Sequence, residues 1–203
     1  MHIVDFIKTD SAELAEMVPW LATINSEAVV AKLVAKASEG FKLQNGSAIH
    51  ETAVIEQGAI IKPPVYIGPR CFIASGAYLR GGVWLEQDVI IGPYCEIKSS
   101  YIFKYSKTAH LNFVGDSVVG IDVNIEAGAI IANYRNEREE KAIWFRYKGE
   151  IIKTGVDKSG AIIGDHTRIG ANAVVAPGAA LLSSSVVKRL ELLDQANGAE
   201  VEQ

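Results

Sequence analysis

Two cations and one imidazole are the residues whose types and spacing could do chemistry together in this chain. Arg80 and Lys98 stand eighteen residues apart. If the chain retraces its path at that interval, the two side chains project in one direction, one layer apart, and can clamp a single anion such as a phosphate. Four histidines occur, His2, His50, His110 and His166. His110 is set apart by a local break in the sequence pattern, and imidazole is the side chain suited to take a proton from a nucleophile at neutral pH. Each residue also has a blander reading, as a solvated surface cation or a surface histidine with no role.

The element that would position these residues is a repeat. From residue 49 the sequence divides into ten blocks of six, IHETAV IEQGAI IKPPVY IGPRCF IASGAY LRGGVW LEQDVI IGPYCE IKSSYI FKYSKT, each opening with a large apolar residue, Ile49 through Phe103. Four residues after each opener comes a second inward candidate, mostly small, and Cys71 and Cys95 occupy two of these positions. A period of six fits neither a 3.6-residue helix nor plain strand alternation. It fits a short strand and a corner. Three units close a triangular coil of eighteen residues, and coils stack by parallel hydrogen bonding at roughly 4.8 Å each. Gly68, Gly92 and Gly120 suit the tight corners.

The repeat resumes at Val119 and again at Ile163. Between residues 109 and 118, AHLNF and VGDSV hold five residues each. On that phase His110 sits in a shortened unit, and Gly92 and Ala74 lie below it, leaving an open groove beside the imidazole. Residues 135–160 form a charged insertion of a length that is usually functional or disordered. Within it AIWFRYKGEIIKT alternates around Lys148 and Gly149, which predicts a hairpin. Its Trp144, Phe145 and Tyr147 require a surface to pack on. Residues 1–45 read as a helical amino-terminal cap: Asp10 and Glu13 form a capping box for a helix ending at Pro19, and a second helix runs from Asn25 and Ser26 to about Ser38. Residues 46–187 are the β-helix, and residues 188–203 read as a short helix and a tail.

Composition narrows the function classes. Twenty basic against 24 acidic residues give a net charge of −4, which offers no footprint for nucleic acid. No apolar run is long enough to span a bilayer, and the first ten residues lack a signal-peptide pattern, so the expectation is a cytoplasmic chain with no membrane partner. Two cysteines make neither a disulfide framework nor a zinc knuckle.

The hexad pattern resembles the left-handed parallel β-helix of hexapeptide-repeat acyltransferases, an all-β solenoid. Residues 80–134 are more specifically similar, without gaps, to the acetyltransferase domain of the bifunctional glucosamine-1-phosphate acetyltransferase and N-acetylglucosamine-1-phosphate uridyltransferase. The matches are LR at Arg80, EIK at Lys98, K-x-x-H-L ending in His110 and Leu111, Gly115-Asp116, V-N-I-x-A-G around Asn124, and Asn133-Tyr134. The insertion and GAIIGD are similar to archaeal sugar-phosphate nucleotidyltransferases with a second, acetylating domain. The nucleotidyltransferase domain and its Gly-rich segment have no counterpart in this sequence, so the expectation is a chain without uridylyl transfer.

The resemblance implies N-acetylation of an amino-sugar phosphate or nucleotide-linked amino sugar, with acetyl-CoA as co-substrate and no metal. It puts Arg80 and Lys98 on the sugar phosphate or nucleotide, His110 on the general base, and Asn124 on the sugar. Ala127, Asn133 and Tyr134 would line the thioester, Ala171 would touch the cofactor through its backbone, and Lys158 would reach substrate across a subunit boundary, approaching His110 of another chain in a homotrimer. Glu96 would orient His110. Phe113 replaces a substrate-contacting tyrosine, removing one hydrogen bond. Lys188 and Arg189 are candidates for the CoA phosphates. Carbonic anhydrases share the prism but need closely spaced histidines, absent here. A non-catalytic sugar-phosphate-binding or scaffold protein of this fold is the alternative.

Overall fold

The computed structural model describes residues 1–195, so part of the expected tail, residues 196–203, lies outside the described residues. The chain winds as the expected left-handed parallel β-helix. Its three faces are one eight-stranded and two seven-stranded sheets, each strand pairing in parallel with its equivalent one coil away, apart from an antiparallel start at Phe41–Gln44 and Ser47–His50. The first face includes Val83–Leu85 and Tyr101–Ile102, the second Ile90–Ile91 and Lys107–Thr108, the third Tyr78–Arg80 and Glu96–Lys98.

The core is a set of inward columns. On the third face Leu79, Ile97, Val114, Ile131 and Val175 stack in register and are buried. Both cysteines are fully buried among them, and burial pushes the Cys71 thiol up to about 12, which makes it inert as a nucleophile. On the second face Ile73, Ile91, Thr108 and Ile125 share a column. Thr108 is the polar member, and its buried Oγ1 has no hydrogen-bond partner among the described residues.

The register keeps one expected shortened unit, VGDSV at 114–118, and moves the other from 109–113. Leu79 pairs with Ile97 and Leu85 with Ile102, so the first five-residue unit is 97–101. The second is 114–118, because Ile102 pairs with Val119. Both omit a residue at the same corner, between the third and first faces. Serines repair it: Ser100 Oγ donates to the Lys98 carbonyl at 2.7 Å and accepts from Ser117 N at 3.0 Å, while Ser117 Oγ donates to the Gly115 carbonyl. Phe103 therefore does not point inward as an opener. It joins a second apolar cluster on the outside of the first face, with Trp84, Tyr101 and Val118.

That cluster is where the amino-terminal helices lie. Helix α1 (Ala12–Ala15) receives a side-chain cap from Ser11, not Asp10, and Pro19 opens α2 (Pro19–Ile24) rather than ending a helix, a position where its missing N–H costs nothing. Helix α3 (Ser26–Ala35) lies along strands of the first face. The segment thus covers a side of the prism as well as its beginning. Gly82 lets the start of α3 approach, because a Cβ there would come within 2.4 Å of the Ser26 carbonyl carbon.

The insertion forms the expected hairpin, Trp144–Tyr147 against Glu150–Lys153, and it folds back on its own prism. Phe145 stacks on Trp20 and Tyr147 meets Phe6. The buried Arg135 guanidinium at its root grips both oxygens of Asp194 and the Pro177 carbonyl. Residues 188–195 contain the strand Leu192–Leu193 where a helix was expected. Val187 and Leu193 keep the six-residue interval and land on the columns below, so ladder pairing overrides the weak helical pattern.

Replacing Thr108 by Val removes the unpaired hydroxyl at nearly constant shape, and is expected to raise stability by about 1 kcal/mol. Urea unfolding reads the change; a loss of stability would mean that the hydroxyl has a partner.

Candidate active site

The candidate residues occupy adjoining strips of the prism. Arg80 and Lys98 are register partners on the third face, as their spacing requires. Neither guanidinium nor ammonium is free. Arg80 donates to Glu96 through Nε at 2.7 Å, with Nη2 at 2.6 Å. Lys98 Nζ lies 2.7 and 2.8 Å from the two oxygens of Asp116. The expected clamp is therefore two internally neutralised ion pairs.

Glu96 serves Arg80, and no side chain among the described residues hydrogen-bonds the His110 imidazole. The expected role of Glu96 in orienting His110 has no support in this geometry. Phe113 stacks above Glu96 in the ladder, with its ring over Gly115, where a Cβ would sit 2.6 Å from two ring carbons.

His110 is exposed on the corner between the second and third faces. Its unit has six residues, because the deletion lies upstream at 97–101. The column consequently shifts by one: Leu111 N bonds the Pro93 carbonyl, so Pro93 and not Gly92 underlies His110. Gly92 lies beneath Ala109, whose carbonyl oxygen would be 1.6 Å from an added Cβ. No Gly92–Ala74 groove exists there. The same corner continues upward, since Gly128 N bonds the His110 carbonyl, Asn172 N that of Ala127, and Leu190 N that of Ala171. His110, Ala127 and Ala171 therefore form one corner column, His110 exposed and the two alanines half-buried, in which two of the three side chains are a single methyl group. Glu126 fastens this edge, accepting from Ala171 N and from Arg189 Nε and Nη2, each at 2.8 Å.

Asn133, Tyr134 and Lys158 gather at the opposite end of the third face. Asn133 Nδ2 donates to Asp116 in a short hydrogen bond. Lys141 and Lys158 place their ammonium groups over the Tyr134 ring, 5.4 and 5.9 Å from its centroid. Lys158 shares a cleft of about 670 Å³ with Lys98 and Asp116 of its own chain; Asn25 and Glu27 at the start of α3 line its far wall. Lys158 thus stands beside its own prism's Lys98. Asn124 is apart from all of these, half-buried on the second face between Lys107 and Arg168.

Asp116 is the residue that sequence reasoning missed as a site member. It is 5% exposed and adopts φ 45°. Its side chain holds Lys98 and Asn133 together, and its carbonyl accepts from Gly160 N at the end of the insertion. The only signal was the Gly115-Asp116 pair, since glycine followed by a residue tolerant of positive φ marks a corner. Among the described residues no group of three or more His, Cys, Asp or Glu is arranged to hold a metal ion, and no helix is long and apolar enough to cross a membrane.

A family model described as bacterial transferase hexapeptide (six repeats) matches residues 46–81. The bifunctional sugar-1-phosphate nucleotidylyltransferase/acetyltransferase of Sulfurisphaera tokodaii is 47% identical over 88 residues, 43% of this chain and 21% of the relative. The bifunctional protein GlmU of Methanococcus vannielii is 37% identical over 111 residues, 55% of this chain and 26% of the relative. The chain thus spans about a quarter of the curated relatives it matches. Among solved structures, PerB from Caulobacter crescentus, in complex with CoA and GDP-perosamine, is 19% identical, covering 91% of this chain and 81% of that one at a TM-score of 0.33.

The hydrogen bonds from Arg189 and from Ala171 N pull the Glu126 carboxyl down from 4.5 to about 2. A carboxyl lowered on folding lends stability that is fully present above pH 4.5 and is lost as the pH falls toward about 2. Glu126→Gln should therefore flatten the acid limb of stability in that window, read as urea midpoint against pH. Parallel curves for the two proteins would sink this linkage.

Proposed function

We propose that this chain, whose residues 46–81 match the bacterial transferase hexapeptide model, is an N-acetyltransferase using acetyl-CoA to acetylate an amino-sugar phosphate or a nucleotide-linked amino sugar. The observation that carries this reading is the corner column of His110, Ala127 and Ala171, running beside a third face that bears Arg80 and Lys98. A thioester lying along the column would meet small side chains and backbone, with the imidazole at its lower end and cations alongside for the acceptor's phosphate.

Transfer by direct attack follows. His110 takes a proton from the acceptor's amine, the nitrogen forms its bond to the thioester carbonyl carbon, and the C–S bond breaks. The thiolate that leaves receives the proton from the imidazolium. Within one chain the turn near Asn133 lies at the other end of the third face from His110, so its backbone N–H groups are candidates to stabilise the oxyanion when supplied by a neighbouring copy. Thiolate is already a good leaving group, so the step requires no metal.

Asn124 sits on the second face and Arg80 on the third, so one chain does not bring both to a small acceptor. A threefold ring that sets the second face of one copy against the third face of the next would unite them, and such a heterologous interface closes naturally. We assign the complete site to that arrangement, with Lys158 acting beside Lys98 of its own chain.

The test is release of free thiol from acetyl-CoA by the purified protein, offered glucosamine-1-phosphate, galactosamine-1-phosphate and nucleotide-linked amino sugars. Turnover with one of them is expected, and His110→Ala should lower it by about 10²- to 10⁴-fold with the fold intact. Undiminished turnover in that variant removes His110 as the base. Binding of a sugar phosphate without thiol release from any acceptor favours a binding protein of the same fold.

A further inference from the structure

We propose that Asp116 is a positioning residue with two effects: it is the internal counter-anion that attenuates Lys98 toward anionic ligands, and it fixes which end of the Asn133 amide is free. The first effect stands on geometry alone. Lys98 meets both carboxylate oxygens at 2.7 and 2.8 Å, its side chain is 20% exposed, and that of Asp116 is 6% exposed. A phosphate approaching Lys98 from the cleft must therefore compete with a carboxylate already seated on it. Sequestered from water, that carboxylate competes more strongly than an exposed one would.

The second effect follows from donor and acceptor inventory. An ionised carboxylate can only accept, so the Asn133 group facing Asp116 is its NH2. The amide carbonyl oxygen is then the end left to accept from an N–H, the polarity needed to receive an amine. With an amide in place of the Asp116 carboxylate, the constraint is lost. The same residue also anchors the insertion, because Gly160 N bonds the Asp116 carbonyl and Ser159 N that of Asn133. Lys98, Asn133 and the return segment beside Lys158 are thus set by one corner, and the Asn133 effect rests on the acetyltransferase reading.

Asp116→Asn separates these effects. Asparagine accepts positive φ, so the corner at φ 45° is kept; circular dichroism verifies the fold, and Asp116→Gly, which also accepts that backbone, replaces the variant if it does not fold. By titration calorimetry with inorganic phosphate, Asp116→Asn is expected to bind about tenfold more tightly than the unmodified protein, and adding Lys98→Met should abolish the gain. Equal affinity, no measurable binding by either protein, or a gain that survives loss of Lys98 overturns the counter-anion assignment. In turnover, the KM for a phosphorylated acceptor should fall while kcat drops about tenfold or more. An unchanged kcat with a lowered KM overturns the Asn133 effect. If the unmodified protein turns over no acceptor, the acetyltransferase reading and the Asn133 effect built on it fall, while the phosphate titration still decides the role of Asp116 toward Lys98.

Discussion

The parallel ladder between coils is the constraint on which every other feature depends. Each inward residue sits directly on its equivalent one coil away, as Leu79, Ile97, Val114 and Ile131 do. An outward residue is consequently placed by its distance in sequence from a core position. This geometry sets Arg80 and Lys98 side by side as ladder partners. It also makes corner backbone into a continuous strip, because each corner N–H bonds the carbonyl of the coil beside it. Long-range position thus becomes a local property of spacing, and a single omitted residue moves everything downstream.

Two omissions occur, at one corner, and they shape the site. They draw the chain tight between the third and first faces at Ser99-Ser100 and Asp116-Ser117, where serine hydroxyls take up the turn's hydrogen bonds. The tightened corner carries Asp116 at positive φ. Without it, Lys98 would face the cleft uncompensated and Asn133 would have no anchor. The interior polar atoms of this stretch also include Asn112, whose amide donates to the Glu126 and Ala129 carbonyls and so ties the His110 coil to the next.

The fold was legible because six-residue periodicity has no competing explanation, and Arg80 above all was legible because no omission precedes Lys98. The column of His110 was misplaced by one residue for a physical reason. Ile102 and Phe103 are both large, apolar and buried, one inward and the other under the amino-terminal helices. A strand covered on both sides loses the alternation that fixes its phase. The carboxy-terminal coil was misread because Leu190 and Leu193 share a helix face while Val187 and Leu193 keep the six-residue interval, and only partner strands distinguish the two. Asp116 stayed hidden because its importance lies in what it accepts, and acceptor geometry is a property of three separate coils.

Charge on the third face is balanced pair by pair, Arg80 with Glu96 and Lys98 with Asp116. A ligand carrying only negative charge must displace carboxylates to reach the cations. One that carries both a phosphate and an amine can meet each partner with the opposite sign, replacing the pairs instead of merely breaking them. The acceptor proposed above, an amino-sugar phosphate, has that composition, and on that proposal the carboxylates are as decisive for selectivity as the cations they neutralise. With the cleft walled on its far side by α3, the amino-terminal segment adds a boundary to that balance.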